Sequence, residues 1–249
     1  MTLIKLAALL LAFIACLPAQ YDRFGSPACS SADQELADRS FFVLCHSSSR
    51  KVALWVGYEL KPKHLHGRVS RPTHFRHDTG LSGPSADDAD YKYSGFSRGH
   101  MAPAADFAWS DEAMRATFLL SNAVPQKQNV NAGVWAQLEA AVRRLAAISD
   151  VVYVVTGPIF ESEDTTVIGA GRVAVPSHTY KVILAVQGDR RTMYAAIIPN
   201  AAGVRGCFED YATTVENVER RTGLDFFDAM EDSEERQLES TLAPFPRQF

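Results

Sequence analysis

The sequence predicts an α+β fold in which a central sheet is flanked by helices. Three segments are rich in β-branched and other apolar residues and are separated by glycine or polar turns, as strands are: residues 151–155, 178–186 and 192–199. A fourth segment, residues 132–148, repeats its apolar side chains at helical spacing. Strands and a long helix in one chain give the predicted class.

Two more strands are predicted nearer the N-terminus, over residues 40–45 and 51–60, because the second of them alternates apolar and other residues. The five residues between them form the turn of a hairpin at the domain edge. Residues 21–38 are polar and are predicted to be a loop-rich lead-in. Ser110 has the character of an N-cap, which predicts a short helix over residues 111–118.

Length and composition indicate an ordinary globular protein. The 249 residues are 47% hydrophobic and 22% charged, and they suffice for one large domain or two small ones. No repeat period or long low-complexity run is present. We predict one domain over residues 20–249.

The first residues have the pattern of a secretory signal. Lys5 is followed by an uninterrupted apolar run, residues 6–16, which is too short to span a bilayer. We therefore expect a signal peptide over residues 1–19 and a secreted or periplasmic product. Lipoprotein anchoring at Cys16 is the alternative. A buried helix is disfavoured because the run has no polar face.

Outside the predicted signal the chain contains three cysteines, Cys29, Cys45 and Cys207. In an oxidising compartment Cys29 and Cys45 can close a short loop, but pairing of Cys207 with either is equally allowed. No zinc-binding spacing is present, because no two cysteines lie two to four residues apart and none pairs with a histidine at ligand spacing.

The formal net charge of −4 has the wrong sign for a protein that binds nucleic acid through its overall charge. The distribution is more informative, because residues 61–76 carry lysines, arginines and histidines without a single acid. Acids collect instead at residues 85–90 and 209–235. A local basic strip on an acidic body suits an enzyme that holds a polyanion briefly. The alternative is an exposed basic loop without a ligand.

One stretch combines the side chains that phosphodiester cleavage needs. Histidine can accept a proton from water near neutral pH, a guanidinium can bind two phosphate oxygens, and amide or carboxylate oxygens can hold a hydrated hard cation. These groups occur together as Arg98, His100, Asn122, Gln126, Asn131 and Glu139.

The same stretch resembles the DNA/RNA non-specific endonuclease family of the ββα-metal group, whose signature is D-R-G-H followed by N…N…W…L-E. The matching residues here are Ser97-Arg98-Gly99-His100, Asn122, Asn131, Trp135 and Leu138-Glu139. Weaker similarity extends the resemblance over residues 58–227. The resemblance implies a ββα-metal fold with a mainly antiparallel sheet and with the site on a long helix and an adjacent loop. It also implies metal-dependent cleavage of DNA and RNA.

The resemblance assigns a role to each polar group of the site. His100 is the expected general base, and Arg98 and Arg71 are expected to bind phosphate oxygens. Arg68 and Arg76 are alternatives to Arg71, which is preferred for its position upstream of the motif.

Asn131 and Glu139 are expected to hold the cation. On a regular helix eight residues separate them by about 12 Å of rise, so both cannot bind one ion directly. We predict Asn131 as the direct ligand of Mg²⁺, or of Mn²⁺ or another divalent ion, and Glu139 as a partner through water. An ion pair of Glu139 with Arg143 is the alternative for that carboxylate. Asn122 is expected to support positioning near the metal or the substrate.

Ser97 departs from the family pattern, where the position is aspartate. A neutral hydroxyl replaces a charge, so the rate or pH optimum can differ, but the base, the ligand and both arginines remain.

No base-reading module is visible, and binding through phosphates carries no direct sequence information. We therefore expect cleavage of both DNA and RNA with weak preference. Two alternatives stay open: an inactive nucleic-acid-binding relative, and a hydrolase of another phosphodiester. The sequence leaves the oligomeric state open and is compatible with a homodimer.

Overall fold

A computed structural model describes residues 23–161 and 166–246 and has a mainly antiparallel sheet at its centre. In chain order the strands are β1 (Gln34–Asp38), β2 (Val43–Ser47), β3 (Val52–Leu60), β4 (Ser97–His100), β5 (Ala123–Gln126), β6 (Val151–Ile159), β7 (Val167–Ile168), β8 (Val173–Ala174), β9 (His178–Gln187), β10 (Arg190–Pro199) and β11 (Ala212–Thr213). Seven of them form the large sheet, in the order β1-β2-β3-β6-β9-β10-β11, and every neighbouring pair is antiparallel. The predicted α+β class is confirmed.

Six α-helices accompany the strands in the described part of the chain: α1 (Asp88–Tyr91), α2 (Asp111–Thr117), α3 (Gln128–Val130), α4 (Ala136–Ala147), α5 (Val215–Thr222) and α6 (Asp232–Glu239). Helix α2 begins as predicted, since the Ser110 hydroxyl accepts a hydrogen bond from the amide of Ala113 at 3.3 Å. Strands β4 and β5 pair with each other outside the large sheet, and α3 follows directly. This unit is the ββα element implied by the resemblance.

The large sheet is covered on both faces because its central strands are buried. In β6, Val152 and Val154 pack on the face that carries α4, whereas Val151 and Tyr153 pack on the face that carries α5 and α6. This alternation follows from the two-residue period of a strand. The β4–β5 unit lies on the α4 face, where its buried residues share a core with Trp135.

The strand boundaries differ modestly from the predicted ones. Strands β6 and β10 extend beyond the predicted segments, to 151–159 and 190–199, because pairing with β9 continues through polar and proline residues. Strand β1 lies in the predicted lead-in loop, so that prediction is wrong there. Its sequence is mostly polar because it is an edge strand with one neighbour, and therefore carries little apolar signal.

The long helix does not begin as predicted. Between α3 and α4 the residues Asn131–Trp135 form a wide π-type turn, and Gly133 has the non-helical angles φ −106° and ψ −111°. The predicted regular helix over 132–148 is therefore wrong at its first turn, and Asn131 and Glu139 do not lie on one straight ridge. Interruptions of this kind are frequent at functional sites.

Cys29 and Cys45 form a disulfide, and Cys207 is free and exposed. Of the pairings that the sequence allowed, the short loop is the one formed. Within the described residues no helix is long and apolar enough to cross a membrane. The predicted signal peptide, residues 1–19, lies outside the described residues.

An acidic cluster between α5 and α6 predicts a pH-dependent stability. Burial, and then the charge of Glu219, raise the pKa of Glu239 to about 8, and Glu239 is only 8% exposed. A raised folded-state pKa stabilises the fold below the unfolded value of about 4.3, and this contribution is lost as pH rises towards 8. We expect Glu239→Gln to raise the melting temperature at pH 8 more than at pH 5, because the amide can donate to Glu219 without a charge. Equal shifts at both pH values, measured by thermal melts, would contradict this prediction.

Candidate active site

His100 ends β4 and lies in an aromatic cradle. Its ring centroid is 4.7 Å from that of Phe75 and 4.9 Å from that of Phe118, and the residue is 8% exposed. Its carbonyl accepts a 3.4 Å hydrogen bond from the Trp135 indole, which joins β4 to the π-type turn. Nothing in the described part of the chain hydrogen-bonds to its buried Nε2 atom. The ring is therefore held by packing while this nitrogen stays free.

Burial, and then the positive charge of Arg71, lower the pKa of His100 to about 3. Both causes disfavour a second positive charge at this position. The imidazole is therefore neutral near pH 7, and one of its two ring nitrogens carries a lone pair.

Arg71 shares the aromatic cradle with His100. Its guanidinium carbon is 5.6 Å from the centroid of the Phe118 ring, the ring that also packs edge-on against His100. Arg76, one of the alternatives, instead donates from Nη2 to the carbonyl of Arg115 at 3.2 Å. The structure thus brings together Arg71 and His100.

Arg98 lies two residues before His100 on β4 and is already paired. Its Nη2 atom is 2.6 Å from Oδ1 of Asp88 and donates to the Asp88 carbonyl at 2.8 Å, while the guanidinium lies over Tyr91. The structure therefore gives Arg98 an internal partner, whereas the sequence suggested an open phosphate clamp. Asp88 is ten residues upstream, and only folding of α1 brings it here.

Asn122 is fully buried and its side chain is used by the backbone. Its Oδ1 accepts from the amide of Ala102 at 2.8 Å, and its Nδ2 donates to the carbonyls of Ala102 and Thr117, both at 2.9 Å. Both amide hydrogens are thereby committed, so the side chain fixes the chain just after His100 and does not point to a metal or a substrate.

Asn131 stands at the start of the π-type turn and is partly exposed. Its backbone amide donates to the carbonyl of Lys127 at 2.9 Å. Among residues 23–161 and 166–246 its carboxamide has no hydrogen-bond partner. Its oxygen is therefore free to bind a cation, unlike that of Asn122.

Glu139 belongs to a charge network that the sequence did not predict. Burial raises its pKa, and the positive charge of Lys181 is the largest opposing effect. The alternative ion pair with Arg143 is not formed, because Arg143 Nη1 lies 2.9 Å from Oδ1 of Asp106. Tyr58 donates to the other oxygen of Asp106 at 3.0 Å. Glu139 thus keeps its oxygens available next to an internal source of positive charge.

Lys181 is a buried charged residue beside Glu139 that the sequence analysis did not assign to the site. It is 0% exposed, its Nζ lies 4.7 Å from the Trp135 ring centroid, and within the described residues this atom has no hydrogen-bond partner. Burial lowers its pKa, whereas the charges of Glu139 and Asp106 raise it. A lysine inside the apolar strand β9 was the available signal, since lysine is almost never fully buried unless paired.

Ser97 and Gly99 face away from His100, because alternate residues of β4 point to opposite sides. The Ser97 hydroxyl donates to Oε1 of Gln128. A Cβ at position 99 would lie 2.8 Å from Cβ of Gln126 and 2.5 Å from its Oε1, so only glycine fits between Arg98 and His100. Serine in place of the family aspartate therefore acts on the neighbouring helix α3 rather than on the imidazole.

The donor set fits a hard cation that retains water. Asn131 and Glu139 offer oxygen atoms only, which Mg²⁺, Mn²⁺ and Ca²⁺ prefer. Among the described residues the one group of three metal-capable side chains is Glu219, Asp225 and Glu239, near α5 and α6 and apart from His100. The residues near His100 thus form no all-protein cage, which is the usual situation for Mg²⁺.

Two paired strands, a following helix and a neutral histidine at the end of the first strand define a nuclease of the ββα-metal class. The chain belongs to the DNA/RNA non-specific endonuclease family, whose model matches residues 21–233. It is an endonuclease that hydrolyses phosphodiester bonds, and the family is one of metal-dependent nucleases.

The chain is similar to known nucleases over most of its length. Mitochondrial endonuclease G from Bos taurus is 36% identical over 222 residues, covering 84% of this chain and 73% of the relative. Mitochondrial nuclease EXOG from Danio rerio is 36% identical over 224 residues, covering 84% and 64%. The crystal structure of the EndoG/EndoGI complex, which concerns EndoG inhibition, matches with a TM-score of 0.79 and 33% identity, covering 86% of this chain and 92% of that one. The predicted family and fold are confirmed.

The predicted secreted or periplasmic location, with its alternative of anchoring at Cys16, is wrong. The similar endonuclease G and EXOG relatives are mitochondrial by name, which contradicts it. The prediction rested on a short apolar run after one lysine. The hydrophobicity of such a run does not by itself distinguish one targeting route from another.

Proposed function

We propose that this endonuclease cleaves DNA and RNA with little sequence specificity, with His100 as general base and a divalent cation, Mg²⁺ first, held by Asn131. The observation that carries the proposal is the neutral imidazole of His100, which is packed between Phe75 and Phe118 near the charge of Arg71 and whose Nε2 has no hydrogen-bond partner among the described residues. A base must be unprotonated at working pH and must be held within reach of its proton.

The chain's own groups divide the reaction between them. His100 accepts a proton from water, the resulting hydroxide attacks phosphorus, and the bond to the 3′ oxygen breaks, leaving a 5′ phosphate and, after uptake of a proton from solvent, a 3′ hydroxyl. Arg71 neutralises the phosphate oxygens as charge develops. Asn131 would hold the cation directly and Glu139 would hold it through water, while the ammonium of Lys181 balances the charge of Glu139. When bound, the cation supplies further charge neutralisation and stabilises the leaving oxygen.

Two of the predicted roles change in this proposal. Asn122 is a positioning residue that fixes the chain after His100, because its amide is used by Ala102 and Thr117. Arg98 supports the β4 strand through Asp88 and reaches phosphate only if that pair opens. Both DNA and RNA are expected substrates, since Arg71 addresses phosphates and phosphate contacts do not read bases.

A plasmid assay tests the proposal. Purified protein with Mg²⁺ is expected to degrade plasmid DNA and ribosomal RNA, and to leave a small chromogenic phosphodiester cut far more slowly. Chelator should leave all three intact, because Asn131 and Glu139 would then hold no cation. Intact plasmid at every concentration of Mg²⁺, Mn²⁺ and Ca²⁺ would contradict nuclease action, and cleavage that chelator does not change would contradict the metal.

A further inference from the structure

An open groove adjoins the aromatic cradle of His100. It lies between residues 69–76 and helix α2 and has a volume of about 340 Å³. Its basic lining consists of Arg71, His74, Arg76 and Arg115, and its one acidic residue is Asp111. We call this feature the α2 groove.

The α2 groove is continuous with the site through Arg71. This residue lines the groove and also lies over Phe118, whose ring contacts His100. Arg71 therefore connects the groove to the position proposed for the scissile phosphate.

Hydrogen bonds hold Arg76 in a fixed position in the wall of the groove. The backbone of Arg76 is bonded to the segment after α2, with its amide donating to Phe118 and its carbonyl accepting from Leu120, both at 2.8 Å. Its guanidinium is oriented by the 3.2 Å hydrogen bond to the Arg115 carbonyl in the last turn of α2. One of its five N–H donors is used there, and the others remain available to an anion.

We propose that the α2 groove binds the sugar-phosphate backbone next to the cleaved bond, with Arg76 and Arg115 as the residues that contact a neighbouring phosphate. This rests on the proposed nuclease function and adds to it a preference for long substrates over minimal ones. The apolar residues Val69, Pro72 and Met114 line the same groove and offer no polar group that would read a base. The contacts proposed for Arg76 and Arg115 are to phosphates, which carry no direct sequence information.

Binding to DNA as a function of salt tests the groove separately from cleavage. The His100→Asn protein, kept in chelator, would be titrated with a short labelled duplex over a series of salt concentrations. Against that parent, we expect Arg76→Ala and Arg115→Ala each to weaken binding roughly threefold to tenfold and to reduce the slope of log affinity against log salt by about 1. Arg76→Lys keeps the charge and should keep the slope.

The control is Arg236→Ala. Arg236 is an exposed arginine of α6, on the opposite face of the sheet, and its removal should leave affinity and slope as in the parent. Thermal melts of all variants separate a lost phosphate contact from a loosened α2, because Arg76 also bonds the end of that helix.

Cleavage by the His100-containing proteins gives the second measurement. Arg76→Ala should raise KM for plasmid and leave the small chromogenic diester within twofold. The proposed binding role of the α2 groove would be overturned if the variants kept their fold and the parent's salt slope. Equal losses of cleavage activity on plasmid and on the small diester would overturn it as well. Should the unsubstituted protein itself fail to cut plasmid in any metal, the proposed function has failed instead.

Discussion

His100→Ala is expected to lower single-turnover cleavage of plasmid by about a thousandfold or more, near the upper part of the 10²- to 10⁴-fold range for a general base. The reason is that the neutral His100 imidazole is the side chain of the aromatic cradle that can accept a proton from water. Duplex affinity in chelator should change little, because Arg71 and not the imidazole supplies the charge that attracts phosphate. Cleavage measured under excess enzyme, with Mg²⁺ at saturation, gives the rate without product release.

Two further variants make this result specific. His100→Asn keeps most of the volume between Phe75 and Phe118 and removes the base, so it should be as slow as the alanine variant even if alanine loosens the cradle. His66→Ala removes an exposed histidine of the basic strip and should cleave at the parent's rate. A His100→Asn protein that melts like the parent and cuts at the parent's rate would contradict the assignment of the base.

Asn131→Ala is expected to raise the Mg²⁺ concentration for half-maximal cleavage by about 100-fold or more, since even residues that only support a metal ligand contribute 10- to 100-fold to affinity. The carboxamide at position 131 has no hydrogen-bond partner in the described chain, so its removal should weaken binding of the cation and leave the fold almost unchanged. Asn131→Asp retains an oxygen ligand and should recover most of the affinity. The measurement is a metal titration of initial rates at fixed plasmid concentration.

Asn129→Ala is the matched control for Asn131. It removes the same side chain two positions earlier, where the amide donates to the carbonyls of Ala201 and Val204 at 3.1 Å and 2.9 Å. Its Mg²⁺ titration should coincide with that of the parent. If instead both asparagine variants shift the titration equally, the effect belongs to the α3 region in general and Asn131 is not the ligand.

The sequence predicted the residues that carry strong local or family signals. Strand and helix periodicity gave the α+β class, the resemblance gave the ββα unit, and His100 and Arg71 do lie together across the Phe118 ring. These features depend on short-range pattern or on motif order, and both are visible in a single chain.

The remaining features depend on contacts between distant positions. Arg98 pairs with Asp88 only because α1 folds back onto β4. The side-chain oxygen of Asn122 accepts a hydrogen bond from the amide of Ala102, twenty positions earlier. The non-helical conformation of Gly133 separates Asn131 from helix α4. A glycine inside a helical apolar pattern is only a weak sequence signal for such a break. Side chains alternate between the two faces along β9, and this places Lys181 on the α4 face near the site. No local pattern in the sequence predicts that position.

The most direct measurement is the position of the cation and the phosphate in a crystal of the His100→Asn protein with a short oligonucleotide and Mn²⁺. We expect one anomalous peak at bonding distance, about 2.0–2.3 Å, from Oδ1 of Asn131, with the scissile phosphate between this ion, Arg71 and the side chain at position 100. An ion bound elsewhere, or a phosphate that lies away from the Phe75 and Phe118 cradle, would contradict the account.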